Sequence, residues 1–267
     1  MENNSDRMGF ALIALSVVAF VLLAVNGPLK ASADGLFKGF KDWQTQTFSQ
    51  INISPSNANK INPDDAKWVT KGDWGSNGKF VVDKDGNAVI YAIDTSKPIV
   101  FHTMADENAK LPTDTLTITF QDKVQGDTNS SMDRAFTDTF DHTFTNLKTI
   151  NNLDTNIDTS NVTNMSYMFY NSNLTSVGDL SKWNTSKVTY MDSMFENSKL
   201  TSVGDLSQWN TSKVNNMGYM FTDSKLTSVG DLSHWNISNV NNMMYMFEGS
   251  QLTPPSWYRW DAGPGPM

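Results

Sequence analysis

The sequence predicts an α/β repeat fold: a solenoid of strand–helix units, preceded by a β-rich cap and by a hydrophobic helix at the N-terminus. Three observations carry that expectation. A 26-residue unit recurs almost intact from Leu174, Leu200 and Leu226, and its first two copies match at 19 of 26 positions. Residues 68–120 hold several short β-type runs separated by turn residues. Residues 10–25 form an apolar run of 16 residues broken only by Ser16. A fixed period of this size marks a repeat array, in which no unit buries its own core without neighbours.

Within the unit, Leu174 and Val177, the Gly178-Asp179 turn and Leu180 read as a strand with β-compatible Thr between apolar anchors. The second half reads as a helix. Thr185 or Ser186 supplies a capping hydroxyl, and Val188, Met191, Met194 and Phe195 then fall at spacings of three and four on one face, with Asn197 and Ser198 at the end. The same frame runs upstream through residues 157–169, keeping Thr159, Ser160, Val162, Met165, Met168 and Phe169, so four such helices are expected. Leu147, Ile150 and Leu153 give a degenerate strand half. Leu252 opens a fifth unit that stops at Pro254-Pro255, where helix and ladder must both end.

Upstream, residues 79–82 and 88–93 read as strands joined by a turn at 83–87, with Gly86 where positive φ is expected. Residues 98–101 and 116–120 supply two more. The strict four-residue spacing of Phe136, Phe140 and Phe144 predicts an entry helix over residues 132–144. The expected layout is a hydrophobic helix with an amphipathic continuation over residues 1–51, a linker over 52–67 and a β-rich cap with the entry helix over 68–146. The repeats follow over 147–252, and a C-terminal cap with a disordered tail over 253–267, where Trp257, Tyr258 and Trp260 cover the last unit.

The string D-T-S-N-V-T-N-M-S-Y-M-F at residues 158–169, followed by L-T-S-V-G-D-L-S-x-W-N-T-S-K-V, resembles the BspA-like leucine-rich-repeat surface proteins of bacteria over residues 110–252. The resemblance implies a leucine-rich-repeat solenoid on a cell surface, a role in adhesion to proteins, cells or surfaces, and no catalytic residues.

Three readings of the N-terminal segment stand side by side. It is an uncleaved membrane anchor; a signal peptide cleaved after Ala33, which would release the protein; or, because Arg7-Met8-Gly9-Phe10-Ala11-Leu12-Ile13 resembles the cleavage region of type IV prepilins, a pilin-like helix processed between Gly9 and Phe10. Against the pilin pattern, Ala14 stands where those proteins carry Glu.

Composition narrows the function. Twenty-eight acidic against 20 basic residues give a net charge of −8, with no basic stripe to replace phosphate counterions, so nucleic acid is not an expected partner. Zero Cys removes disulfides, thiolate zinc sites and thiol catalysis. His102, His142 and His234 are scattered, and no G-x-S-x-G turn exists. No enzyme, cofactor or metal site is therefore expected. Two further rows read as structural: Trp183, Trp209, Trp235 as core stacking, with a carbohydrate- or protein-binding platform as the competing account, and Asp179, Asp205, Asp231 as turn hydrogen bonding, with Ca²⁺ as the competing account. The residues expected to vary on the surface and meet a partner are Tyr167, Lys182, Tyr190, Gln208, Tyr219, His234 and Tyr245. The expected role is a non-enzymatic adhesion or binding protein on a Gram-positive cell surface, taking a protein or glycan ligand. The alternative is a pilin-like subunit that polymerises.

Overall fold

The structure, a computed structural model, describes residues 61–137 and 144–259. The chain divides into two units, residues 1–61 and 62–267. The apolar run with Gly9, Phe10 and Ala33, most of the linker, and also Phe140, His142, Trp260 and the tail lie outside the described residues.

The second unit begins with an antiparallel meander of β1 (Trp68–Asp73), β2 (Gly78–Asp83) and β3 (Asn87–Ala92), with Phe80 opposite Ile90. Gly86 takes φ 78° in the β2–β3 turn, and the Asp83 carboxylate accepts the backbone N–H of Asp85 and Asn87, each at 2.9 Å. Burial pushes the Asp83 carboxyl up. The Asn87 and Asp85 donors outweigh it and hold the group below its usual range. From β3 onward pairing is parallel. Each layer of chain gives strands to two sheets: β3 and β4 (Ile99–Thr103), then β5 (Thr117–Phe120) and β6 (Val124–Ser131), then β7 (Thr149–Asn151) with β8 (Ile157–Asp158) and β9 (Val162–Asn164). The sheet orders are β1-β2-β3-β5-β7 and β4-β6-β8, with β9 also on β6. The β1–β2 hairpin covers what would otherwise be an open edge of the first ladder.

Beyond β9 both ladders continue as single bridges, Thr149 with Ser176 on one side and Asn164, Tyr190, Asn216 and Asn242 in turn on the other. The layers here are rungs of turns. Every second N–H of the Met-to-Asn stretch crosses to the next rung: Met191 to Asn216, Ser193 to Gly218, Phe195 to Met220 and Asn197 to Thr222, at 3.0, 2.9, 2.9 and 2.8 Å. The same pattern repeats from Met165 and from Met217. Among the N–H groups between, Glu196 closes on Ser193 and Ser198 on Phe195, a local turn each.

This overturns the expected α/β solenoid. The described residues form mixed β-sheets prolonged by turns. The described residues hold two short α-helices, α1 (Met104–Asn108) and α2 (Leu153–Asn156), and no α-helix from residue 157 onward, where four were expected. Ser193 and Asn197 lie at φ 54° and 52°, as do their counterparts in each rung, and an α-helix of L-residues does not pass through that region. A helix would also consume locally the N–H groups that the neighbouring rung takes. The spacing of three and four that suggested a helix arises here from consecutive tight turns. Thr185, expected as a helix cap, donates its hydroxyl to the Asn210 carbonyl of the next rung at 3.1 Å. The strand half is corrected too: residues 174–182 hold one bridge at Ser176 and a 3-10 turn, Leu180–Lys182. The leucine-rich-repeat description therefore does not fit.

The entry helix fails for the same reason over its described part. Met132, Arg134 and Phe136 donate N–H to the carbonyls of Asn164, Ser166 and Met168, so residues 132–136 already form a rung, with Arg134 at φ 55°. Membrane anchoring through an N-terminal helix is not supported: among the described residues no helix is long and apolar enough to cross a membrane, and the apolar run of residues 10–25 lies outside them.

One apolar core runs from Trp74 to Leu252. Its spine is a column of rings, Phe136, Phe169, Phe195, Phe221 and Phe247, stacked at 5.8, 5.6, 5.7 and 5.4 Å and closed by Tyr258 edge-on at 5.0 Å. A second column stacks Trp183, Trp209 and Trp235 at 6.5 and 6.4 Å, within 4° of parallel, all buried. Trp209 and Trp235 donate Nε1–H to the carbonyls of Leu180 and Leu206, both at 3.0 Å, and Trp257 does the same to Leu232 at 2.9 Å. Trp257 thus fills the place a further repeat would have given its own Trp. The Trp183 Nε1 is buried and unpaired, because the layer before it carries α2 in place of a repeat turn.

Gly204 sits at φ 84°, and a Cβ there would overlap the Asp179 carboxylate of the preceding rung. Gly204→Ala should therefore cost about 2–4 kcal/mol, strain and clash together, in denaturant unfolding. Gly218, at ordinary φ and opposite a movable Asn242 side chain, is the control: its frame position holds Asp192 and Met244 elsewhere, and Gly218→Ala should change stability by less than ~0.5 kcal/mol.

Candidate functional site: the tyrosine face

The left-handed residue that lets each rung turn carries a ring that reaches the surface in three rungs, while Ser193 at the same position is buried. Tyr167, Ser193, Tyr219 and Tyr245 occupy this position at φ 55°, 54°, 59° and 56°. Non-glycine residues reach it at a cost of order 1–2 kcal/mol, and a bulky ring there is uncommon. The Tyr219 N–H is pinned to the Met244 carbonyl at 2.9 Å, and the Tyr219 and Tyr245 rings touch, with centroids 5.2 Å apart. Both are 38% exposed. Tyr190 at 45% and Met244 at 39% belong to the same three rungs. The result is an exposed aromatic pair on a fixed backbone, on rungs where Asn216 and Asn242 continue the row of Tyr190.

Tyr167 is held apart from that pair. The Arg134 guanidinium lies 4.8 Å over its ring and Tyr170 meets it edge-on at 5.5 Å. Arg134 also binds the Asp133 carboxylate at 2.7 Å. Burial pushes the Asp133 carboxyl up; Arg134 pulls it back and the charge of Asp192 adds to the rise. One Asp133 oxygen, Oδ1, is buried without a partner, while Asp192 accepts the Ser166 hydroxyl at 2.6 Å.

Lys182, Gln208 and His234 are exposed and share one frame position, but they line a separate turn, directly before the buried Trp of each rung. Thus, of the residues expected to meet a partner, the structure joins Tyr219 to Tyr245, ties Tyr167 to Arg134 and Tyr170, and sets the Lys182 row elsewhere. The Trp row is core. In the Asp row, Asp179, Asp205 and Asp231 accept the N–H of Ser181, Ser207 and Ser233 at 3.0, 2.9 and 2.9 Å. Those serine donors hold Asp179 and Asp231 below the usual carboxylate range. Among the described residues no three His, Asp or Glu side chains converge on a metal position. His102 meets Asp127 at 2.8 Å on the surface. A cavity of 280 Å³ lies between Pro98, Lys123 and residues 155–158, and Lys123 is spent there on the Thr155 carbonyl at 2.6 Å.

Sequence reasoning passed over Arg134 and Tyr170. The signal existed: Met132-Asp133-Arg134-Ala135-Phe136 has the M-x-x-x-F frame of Met165–Phe169, which puts Arg134 in the tyrosine row.

The model of a family described as Mycoplasma protein of unknown function, DUF285, matches residues 130–260. No BspA or leucine-rich-repeat family model matches. No curated protein and no solved structure matches the chain. The family match covers the rungs from the Asp133-Arg134 turn to Trp257, the part of the chain that carries the tyrosine face.

A folded carboxyl raised by burial gives stability that is present below its unfolded value and lost as pH rises through the folded one. Asp133→Asn should therefore raise Tm at pH 7, and the gain should shrink as pH falls to 4, in melts of the two proteins across that range.

Proposed function

We propose that this chain is a non-enzymatic binding protein that presents the tyrosine face to a protein or glycan ligand. The observation that supports this most is the Tyr219–Tyr245 pair, two exposed rings in contact on backbone held at left-handed φ. The left-handed φ serves the turn, as it does at Ser193, but the choice of Tyr there does nothing for the core, and a pre-ordered ring gives a ligand large contact area with little entropy left to lose. Tyr190 and Met244 are exposed on the same rungs, and Asn216 and Asn242 continue the row of Tyr190. The resemblance of residues 158–169 to BspA-like proteins, whose known roles lie in adhesion, points the same way. No reaction is assigned.

The test uses Tyr219→Ser with Tyr245→Ser. Ser193 already occupies that frame position at φ 54°, so the double variant keeps its fold. On a glycan array and against immobilised candidate proteins, ligands of the native chain should bind the variant at least about tenfold more weakly, the size of one lost aromatic hot spot, at unchanged Tm. Equal binding by the two proteins would move the site off this face.

A further inference from the structure

Three successive repeats carry Asn-x-Ser directly after the buried Trp: Asn184-Thr185-Ser186, Asn210-Thr211-Ser212 and Asn236-Ile237-Ser238. In each, the Asn Oδ1 accepts the N–H of the Ser two residues on, at 3.1, 3.0 and 3.0 Å. The hydroxyls of Ser212 and Ser238 add a second bond to the same oxygen at 2.7 Å. All three Asn are exposed. Their Nδ2 groups donate to nothing among the described residues.

The turn itself needs only the oxygen. Asp158 makes the same bond to Ser160 at 2.9 Å one rung earlier, and Asp179, Asp205 and Asp231 make it to the Ser that follows each of them. Charge repulsion does not explain the choice of amide either, because three carboxylates stand in register in the neighbouring Asp row. The amide nitrogen is thus surplus to the fold. The other described triplets look different: Asn164 makes the same bond to the Ser166 N–H at 2.9 Å but is half-buried and its Ser166 hydroxyl is spent on Asp192, Asn129 before Ser130-Ser131 stands at φ 60° without that bond, Asn161 is tied to the Gly126 carbonyl and to Lys187, and Asn173 to the Thr145 carbonyl and to Lys199.

We infer that Asn184, Asn210 and Asn236 are acceptor sites for N-linked glycosylation, one per rung. Asn-x-Ser is the acceptor triplet, and each lies in an exposed turn with the Ser beside the amide and Nδ2 free. In the transfer, Nδ2 attacks the anomeric carbon of a sugar activated as a glycosyl phosphate. The carbon–nitrogen bond forms, the bond from that carbon to the phosphate oxygen breaks, the phosphate leaves with the electron pair, and Nδ2 gives one proton to a base of the transferase. This site is distinct from the tyrosine face and does not depend on it.

The experiment is peptide mass spectrometry on the full chain isolated from the cells that make it. Glycosyl mass increments are expected on Asn184, Asn210 and Asn236, with Asn161 and Asn173 bare. A single hexose per site identifies a nucleotide-sugar donor, an oligosaccharide a lipid-linked one. Asn210→Asp keeps the turn, as Asp158 does, so this folded variant should carry increments at 184 and 236 alone. Ser212→Ala should lose the increment at Asn210. Three unmodified asparagines in the native chain, or a modified Asn210 in Ser212→Ala, would overturn the inference.

Discussion

The rest of the structure depends on the backbone hydrogen bond from one rung to the next, N–H of residue 195 to the carbonyl of residue 220 and its equivalents. Four such bonds join each pair of rungs from Met165 onward along this stretch. Each nets only about 1 kcal/mol, but a buried donor left without its acceptor costs about 1–3 kcal/mol, so the register between rungs admits no slip. Because alternate N–H groups point across and their neighbours close locally, the chain must reverse curvature every few residues. It does so through the left-handed residues at 193 and 197 and at their counterparts.

From that bond follow the columns. Fixed register brings like residues face to face, and the five phenylalanines stack at 5.4–5.8 Å with the tryptophans beside them. Aromatic pairs of this kind add about 0.5–1.5 kcal/mol each beyond their burial. The ends need separate solutions. At one, the antiparallel β1–β2 hairpin ends the first parallel ladder; at the other, Tyr258 closes the phenylalanine column and Trp257 makes the hydrogen bond of the missing next Trp. The same register that aligns the core aligns the surface. Outward rows of Tyr, Asn and Asp are therefore consequences of the ladder, whatever use is made of them.

Much of the core was legible in the sequence and the local geometry was not. The period, the inward residues Leu174, Val177, Trp183, Val188, Met191, Met194 and Phe195, and the β2–β3 turn at Gly86 all read directly from residue type and spacing. The helices did not exist. Apolar residues three and four apart fit a helix and a pair of tight turns equally well, and periodicity alone does not separate them. The signal that does is the row Asn171, Asn197, Asp223, Gly249, residue types that tolerate left-handed φ, standing where a helix would continue. For the candidate site, the Tyr row was visible as repetition. Its strain was not, because Tyr at φ near 55° has no compositional mark, and the pairing of Tyr219 with Tyr245 but not with Tyr167 follows only from Ser193 standing between them.

The measurement that bears most directly on this account is a through-hydrogen-bond scalar coupling experiment by NMR on the labelled chain, read at the Phe195 amide. Cross-rung pairing places that coupling at the Met220 carbonyl, with the Phe221 amide coupled to Met246 in the same way. Coupling of Phe195 to the carbonyl of Met191, four residues back, would mean that the repeats are helical and would contradict the account at its foundation.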